Sequence, residues 1–147
     1  MFLNPSNMIT VIQEYCKNHN QEPPVTIGEI SRTIFESMAF KYKITLEKIE
    51  EIIEKKVMIL YVIGGGSKNN LLSQFTANAL NIPVKAGPSE ATAIGNILVQ
   101  AMTLGEVKDL KELREIVRNS FKIKNFLPEN HEKWEEAYFT FLGRTKK

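Results

Sequence analysis

Apolar residues along this chain recur with helical spacing in some segments and run continuously in others, and the two patterns predict different elements. MITVIQEYCK, from Met8 to Lys17, reads as a short helix after a turn at FLNPSNM. QEPPV ends it, because consecutive prolines cannot continue a helix. Thr26 and Glu29 then stand at the spacing of a capping box, a hydroxyl at the N-cap and a glutamate three residues on. Behind them Ile27, Ile30, Ile34, Met38 and Tyr42 recur at helical spacing, and Leu46, Ile49 and Ile53 continue the series. That stripe predicts one long helix with its apolar side toward the core.

VMILYVI, residues 57 to 63, has no such period. It is apolar and β-branched throughout and bounded by lysines and glycines, as a strand buried on both faces would be. Asn70 to Leu80 is amphipathic again, and IPVKAGP offers a second short strand. Ser89 and Glu90 open a helix, EATAIGNILVQAMTL, that stops at Gly105. Asp109 and Glu112 repeat the capping-box spacing ahead of a helix to about Arg118. A last helix, from about Pro128 to Leu142, carries Trp134, Tyr138, Phe139 and Phe141.

The predicted order is helix, helix, strand, helix, strand, helix, helix, helix: an α/β fold, helix-rich with few strands. Two strands are too few for an open α/β core. The chain therefore reads as part of a domain, whose missing strands lie upstream of Met1 or come from a partner. An incomplete sheet leaves a bare edge and uncovered apolar faces, which predicts a homo-oligomer.

Composition narrows the function classes. The 147 residues suffice for one domain, and 43% hydrophobic with 24% charged is a globular balance. A net charge of +2 is too small to bind nucleic acid or a membrane surface by field alone. Bases alternate with acids, as in KITLEKIEEIIEKK, which is the pattern of a solvated helix face. Cys16, the sole cysteine, permits no intrachain disulfide, and a cytoplasmic location is expected. It sits in a helical stretch with no base beside it and reads as a structural thiol. His19 and His131 lack ligand-type neighbours, so no metal site is expected. The N-terminus has no basic, then apolar, targeting pattern, and no segment approaches transmembrane length.

The chemistry concentrates in VIGGGSKNN, residues 62 to 70. Glycines between a strand and a helix let helix N-terminal amides face a ligand. The Walker phosphate loop is excluded, because GxxxxGK[ST] does not occur. The dinucleotide fingerprint fails too: Gly64 and Gly66 are followed by Asn69 instead of a third glycine, and no acid closes the second strand. From these residues alone, a tight strand–helix crossing and a ligand site both remain open. Ser67 reads as the N-cap of the following helix. Glu90 reads as a first-turn acid favoured by capping and the helix dipole, and Gly95 as a point of close packing against the preceding strand and turn. Lys68 reads as one exposed lysine among many.

The ordered set of GGGS, Asn69-Asn70, LLSQFTANALNIPV and GPSEATAIGN resembles the nucleotide-binding end of the FGGY carbohydrate kinases, members of the actin and hexokinase ATPase superfamily. The likeness extends back to FLNPSNM and forward to the aromatic tail. EISRTIFES also resembles part of the family's C-terminal signature, with Thr33 where Ala or Ser is usual. The resemblance implies a partial actin-like (ribonuclease H-like) ATPase domain, the C-terminal segment of a sugar kinase. Residues 57–105 would be its nucleotide-binding strand–turn–helix unit and 106–147 its C-terminal helices.

By the same resemblance, ATP with Mg²⁺ binds between two domains, and the glycine turn lies along the adenosine and α-phosphate. Gly65 and Gly66 would put their backbone against the nucleotide, Gly64 would shape the turn, and Asn70 would meet the adenine or ribose edge. The base aspartate, the sugar pocket and the other phosphate loop belong to an upstream kinase half, the expected partner. No catalytic residue is expected in this chain, which alone would not phosphorylate a sugar. The competing expectation is a non-catalytic actin-like module for nucleotide binding or assembly.

Overall fold

The computed structural model describes residues 2–145 of the chain. Helix α1 spans Met8–Asn18 and is capped by Asn7, whose side chain accepts from the Thr10 N–H. Helix α2, Ile27–Ile53, begins on the expected capping box. Thr26 Oγ1 accepts from the Glu29 N–H at 3.2 Å, and Glu29 Oε2 accepts from the N–H groups of Thr26 and Val25. Those bonds favour the ionised carboxylate and hold Glu29 below its ordinary pKa.

Strand β1, Leu60–Val62, leads through a 3₁₀ turn, Gly65–Lys68, into helix α3, Asn70–Leu80. Strand β2, Val84–Ala86, follows and pairs parallel with β1, Leu60 opposite Val84 and Val62 opposite Ala86. Helix α4, Ala91–Thr103, ends on Gly105, whose φ of 83° suits glycine. The N–H groups of Gly105 and Glu106 return to the carbonyls of Met102 and Ala101, the Schellman arrangement. Helix α5, Leu110–Ser120, is capped by Asp109, and Glu112 reaches back to the Lys108 N–H.

A third strand, β3, Lys124–Phe126, was not apparent from the pattern. It pairs antiparallel with β2, so the sheet order is β1-β2-β3. KNF has no apolar run, and its extended form is dictated by pairing with the buried β2 rather than by propensity. Residues 106–147, expected to be helical, thus also supply sheet. Helix α6, His131–Thr145, closes the described chain and starts three residues later than expected.

The core lies where α2, α3 and α6 meet. Ala39 and Ala79 are fully buried there, and such small residues let α2 and α3 approach closely. Phe40, Trp134 and Tyr138 fill the space around them, with Phe40 and Phe75 each edge-on to Trp134 at centroid distances of 5.6 and 5.1 Å. The aromatic tail is therefore a docking helix, as its sequence suggests. Lys43, although buried, pairs with Glu135 and lies 4.4 Å over the Tyr138 ring. Tyr138 donates its hydroxyl to Glu47 at 2.5 Å. Cys16 packs with Ile12 and Ile30 in a smaller cluster, as a structural thiol.

Two expectations about burial do not hold. The long stripe of α2 is largely open: of its positions Ile30 is buried, while Ile27, Ile34, Met38, Tyr42, Ile49 and Ile53 are exposed. The helix buries Ala39, Phe40 and Lys43 instead, because those face α3 and α6. Nor is 57–63 a strand buried on both faces. Only Leu60–Val62 pairs, and Met58, Tyr61 and Ile63 are exposed at 72%, 61% and 62%. Both stretches have the composition of an interior without any covering element among the described residues. Tyr42, Leu46 and Ile49 of α2, with Leu60 and Val62 of β1, line a cavity of about 450 Å³ on this side. No helix among the described residues is long and apolar enough to cross a membrane.

Burial first, and the Glu47 carboxylate second, push the Tyr138 phenol above its ordinary pKa. The folded chain thus keeps a proton that the unfolded chain releases. The associated stability is complete below the unfolded value, about pH 10, and is lost as pH rises past it toward the folded value. Tyr138→Phe is expected to cost about 1–3 kcal/mol at neutral pH and to flatten that alkaline loss in urea titrations. An unchanged alkaline slope would disprove the assignment. The bare β1 edge further predicts self-association of the isolated chain; a strictly monomeric mass by light scattering, with the chain folded, would contradict it.

Candidate functional site

The site is built at the carboxyl ends of β1 and β2, the edge at which ligands bind in open α/β sheets. Pairing continues past both strands: the Gly87 N–H donates to the Val62 carbonyl at 2.8 Å and the Gly64 N–H to the Pro88 carbonyl at 3.2 Å. The glycine turn is thereby fixed to the Gly87–Pro88 segment. Gly64 has φ 75° and ψ −163°, a region essentially confined to glycine. Its conformation sets the bend between β1 and the 3₁₀ turn.

Ser67 is not the N-cap of α3. Its N–H and its hydroxyl both donate to the Gly64 carbonyl, at 3.1 and 2.7 Å, and it is buried within the turn. The cap is Asn69, whose Oδ1 accepts from the Leu72 N–H at 3.0 Å. The sequence held that signal, because Asn is as good a cap as Ser. The 3₁₀ turn shifts the helix start two residues beyond the serine.

Gly65 and Gly66 are exposed and open the 3₁₀ turn. The first amides of a helical turn have no partner within it, so the Gly65 and Gly66 N–H groups are donors that the turn itself leaves unused. A Cβ at Gly65 would meet nothing within 4 Å, and one at Gly66 only Val62 Cγ1 at 3.9 Å. The space beyond the turn is open to a ligand. Asn70, the first residue of α3, is exposed beside them, and its Oδ1 accepts from Lys124 Nζ at 2.9 Å. The structure thus brings Gly64, Gly65, Gly66 and Asn70 to one sheet end and adds Lys124, which sequence reasoning missed. Lys124 is opposite Ala86 in the β2–β3 pair, a register invisible in KNF itself.

Behind this edge α3 is tied to the tail. Buried Asn78 accepts from Gln74 and from the Glu129 N–H, and Gln74 also donates to the Leu127 carbonyl at 2.7 Å. Glu90 stands at the N-cap position of α4 but makes no capping bond, and its side chain is exposed. Gly95 does not mediate close packing: nothing lies within 4 Å of where its Cβ would stand, and α4 buries no residue. His19 caps its own helix turn through the Tyr15 carbonyl, and His131 faces Glu135.

This donor set is of the kind that suits a nucleoside phosphate: amides left unused at the start of a helical turn, glycine-lined space and an amide side chain. It does not suit a divalent cation directly, since no group of three or more His, Cys, Asp or Glu comes together among the described residues.

Residues 1–104 match the family model described as the FGGY family of carbohydrate kinases, C-terminal domain, and the chain belongs to that family. It is 47% identical over 140 residues to a rhamnulokinase of Bacteroides thetaiotaomicron, covering 95% of this chain and 29% of that protein. A rhamnulokinase of Ligilactobacillus salivarius is 42% identical over 147 residues, 99% of this chain and 30% of its own length. The crystal structure of xylulose kinase from Rhodospirillum rubrum superposes with a TM-score of 0.62 at 20% identity, over 81% of this chain and 24% of that one. The last comparison concerns the fold alone. The chain spans under a third of the curated relatives it matches and corresponds to the C-terminal part of a sugar kinase.

The turn geometry separates two neighbouring glycines. Gly64→Ala is expected to destabilise the fold by about 1–3 kcal/mol, because alanine is strained at that φ and ψ. Gly65→Ala, with open space for its methyl, is expected to stay within ~0.5 kcal/mol. Chemical denaturation of both variants measures this, and equal losses would mean that the turn is not the source of the strain.

Proposed function

We propose that this chain supplies the adenosine side of the ATP cleft in a sugar kinase that phosphorylates L-rhamnulose at its 1-hydroxyl. The observation carrying this reading is the glycine turn: tied to the sheet through Gly64, with open space at Gly65 and Gly66, whose amides the turn itself leaves unused. Gly65 and Gly66 would receive the adenosine and α-phosphate with no Cβ in the way, and Asn70 would meet the adenine or ribose edge. The choice of sugar rests on the likeness to rhamnulokinases.

MgATP, when bound, supplies the γ-phosphoryl group and the charge neutralisation that its transfer needs. This chain's residues bind and orient the nucleoside end. The base that takes the sugar hydroxyl's proton, the sugar pocket and the remaining phosphate contacts would come from an upstream kinase half. That half would also cover Met58, Tyr61 and Ile63 and complete a partial actin-like ATPase domain. The cytoplasm, where ATP is made available, is the matching location.

The test supplies the missing half. The chain, combined with the upstream two-thirds of a rhamnulokinase relative, is expected to restore ATP-dependent phosphorylation of L-rhamnulose, while the chain alone gives none. Gly65→Val should then lower kcat/KM for ATP on the order of 100-fold, because its side chain fills nucleotide space. A folded, nucleotide-bound assembly that transfers no phosphate would overturn the kinase reading. It would favour an actin-like binding module.

A further inference from the structure

Within the described structure, Asn70 and Lys124 lie 54 residues apart in sequence and meet at the sheet end that holds the glycine turn. The contact carries directional information. A lysine ammonium has hydrogens to donate and no lone pair, so only the oxygen of the Asn70 amide can face it. Lys124 Nζ at 2.9 Å from Oδ1 therefore engages the oxygen and leaves the Nδ2 amino group as the donor outside this contact. Without that partner, an exposed asparagine amide rotates freely and offers donor and acceptor alike.

We propose that Lys124 is a positioning residue that sets Asn70 as a hydrogen-bond donor toward the nucleoside, so that Asn70 recognises an acceptor atom, a ring nitrogen or a ribose oxygen. This rests on the reading of the glycine turn as a nucleotide site. Lys124 is held by the antiparallel pairing of β3 with β2, opposite Ala86, so its place relative to Asn70 is fixed by the sheet. It lies beyond residue 104, where the match to the general family model ends, but within the stretch matched by the Ligilactobacillus rhamnulokinase. The pair thus joins a residue of the tail, Lys124, to one in the stretch that the family model matches, Asn70.

The test uses the 147-residue chain, with NMR signals of the Asn70 side-chain amide and titrations with MgADP and with adenosine. In the free protein, Lys124→Met should move the Asn70 amide signals, and Lys124→Arg, which still donates, should largely restore them. Lys124→Met should weaken MgADP binding ~5-fold, the effect of one lost charge-assisted bond at an exposed site, with recovery in Lys124→Arg. Asn70→Asp keeps a partner for Lys124 but has no hydrogen to give. With adenosine, which lacks phosphate charge, it should bind as poorly as Asn70→Ala.

Wild-type adenosine affinity in Asn70→Asp would show that the oxygen faces the ligand and would overturn the proposal. So would a Lys124→Met variant with unmoved Asn70 signals and unchanged MgADP affinity. If the unaltered chain shows no MgADP-induced shifts at residues 64–70, the nucleotide reading itself falls, and this inference with it. Binding that persists without dependence on Lys124 refutes the inference alone.

Discussion

The close packing of α2 on α3 is the interaction on which the rest of this chain depends. Ala39 and Ala79 let the two helices approach, and Phe40 from α2 and Phe75 from α3 contact Trp134 of α6. Such aromatic pairs contribute about 0.5–1.5 kcal/mol each beyond the area they bury. With α3 fixed from behind, its N-terminus has one place, at the carboxyl end of the sheet. The glycine turn sits there because α3 starts there. Gln74 and Asn78 fasten the same helix to the tail, so the segment carrying β3 and α6 takes part in positioning the turn from two sides.

The second feature is an interior that this chain does not close. The open α2 stripe, the exposed side chains around β1 and the apolar cavity between them have core composition without a cover. The glycine-turn edge has the same character: Gly65 and Gly66 are exposed, with open space beside them. Relatives more than three times as long share this segment, and their remaining length is where a cover and the other side of a cleft would come from. The chain carries donors and shape for one end of a ligand. A cation site needs a cluster of His, Cys, Asp or Glu, and none of three or more comes together among the described residues.

Much of this was legible in residue order. The capping box at Thr26, the stop at Gly105 and the strand–glycine–helix unit are local devices, set by contacts within a few residues, and all appear in place. The family, too, was legible, because GGGS, Asn69-Asn70 and GPSEATAIGN keep their order and spacing. The misreadings share one cause. Choosing Asn69 over Ser67 as the cap required knowing that a 3₁₀ turn comes first, in which the Ser67 hydroxyl is taken by the Gly64 carbonyl. Rejecting Gly95 as a packing point required knowing that no atom stands within 4 Å of its Cβ position. Recognising KNF as a strand required its partner, β2.

The sequence by itself determined which segments are helical and where several of them are capped, which turn needs glycine, and that the apolar surface exceeds what one small sheet can cover. Those follow from short-range sterics, capping and hydrophobic period, which act between neighbours in the chain. Only the tertiary structure decided which side of α2 is buried, that the sheet has a third strand, and that Lys124 stands beside Asn70. Those depend on register and helix contact between residues roughly 50 to 90 positions apart, and no local pattern encodes which distant neighbour will arrive.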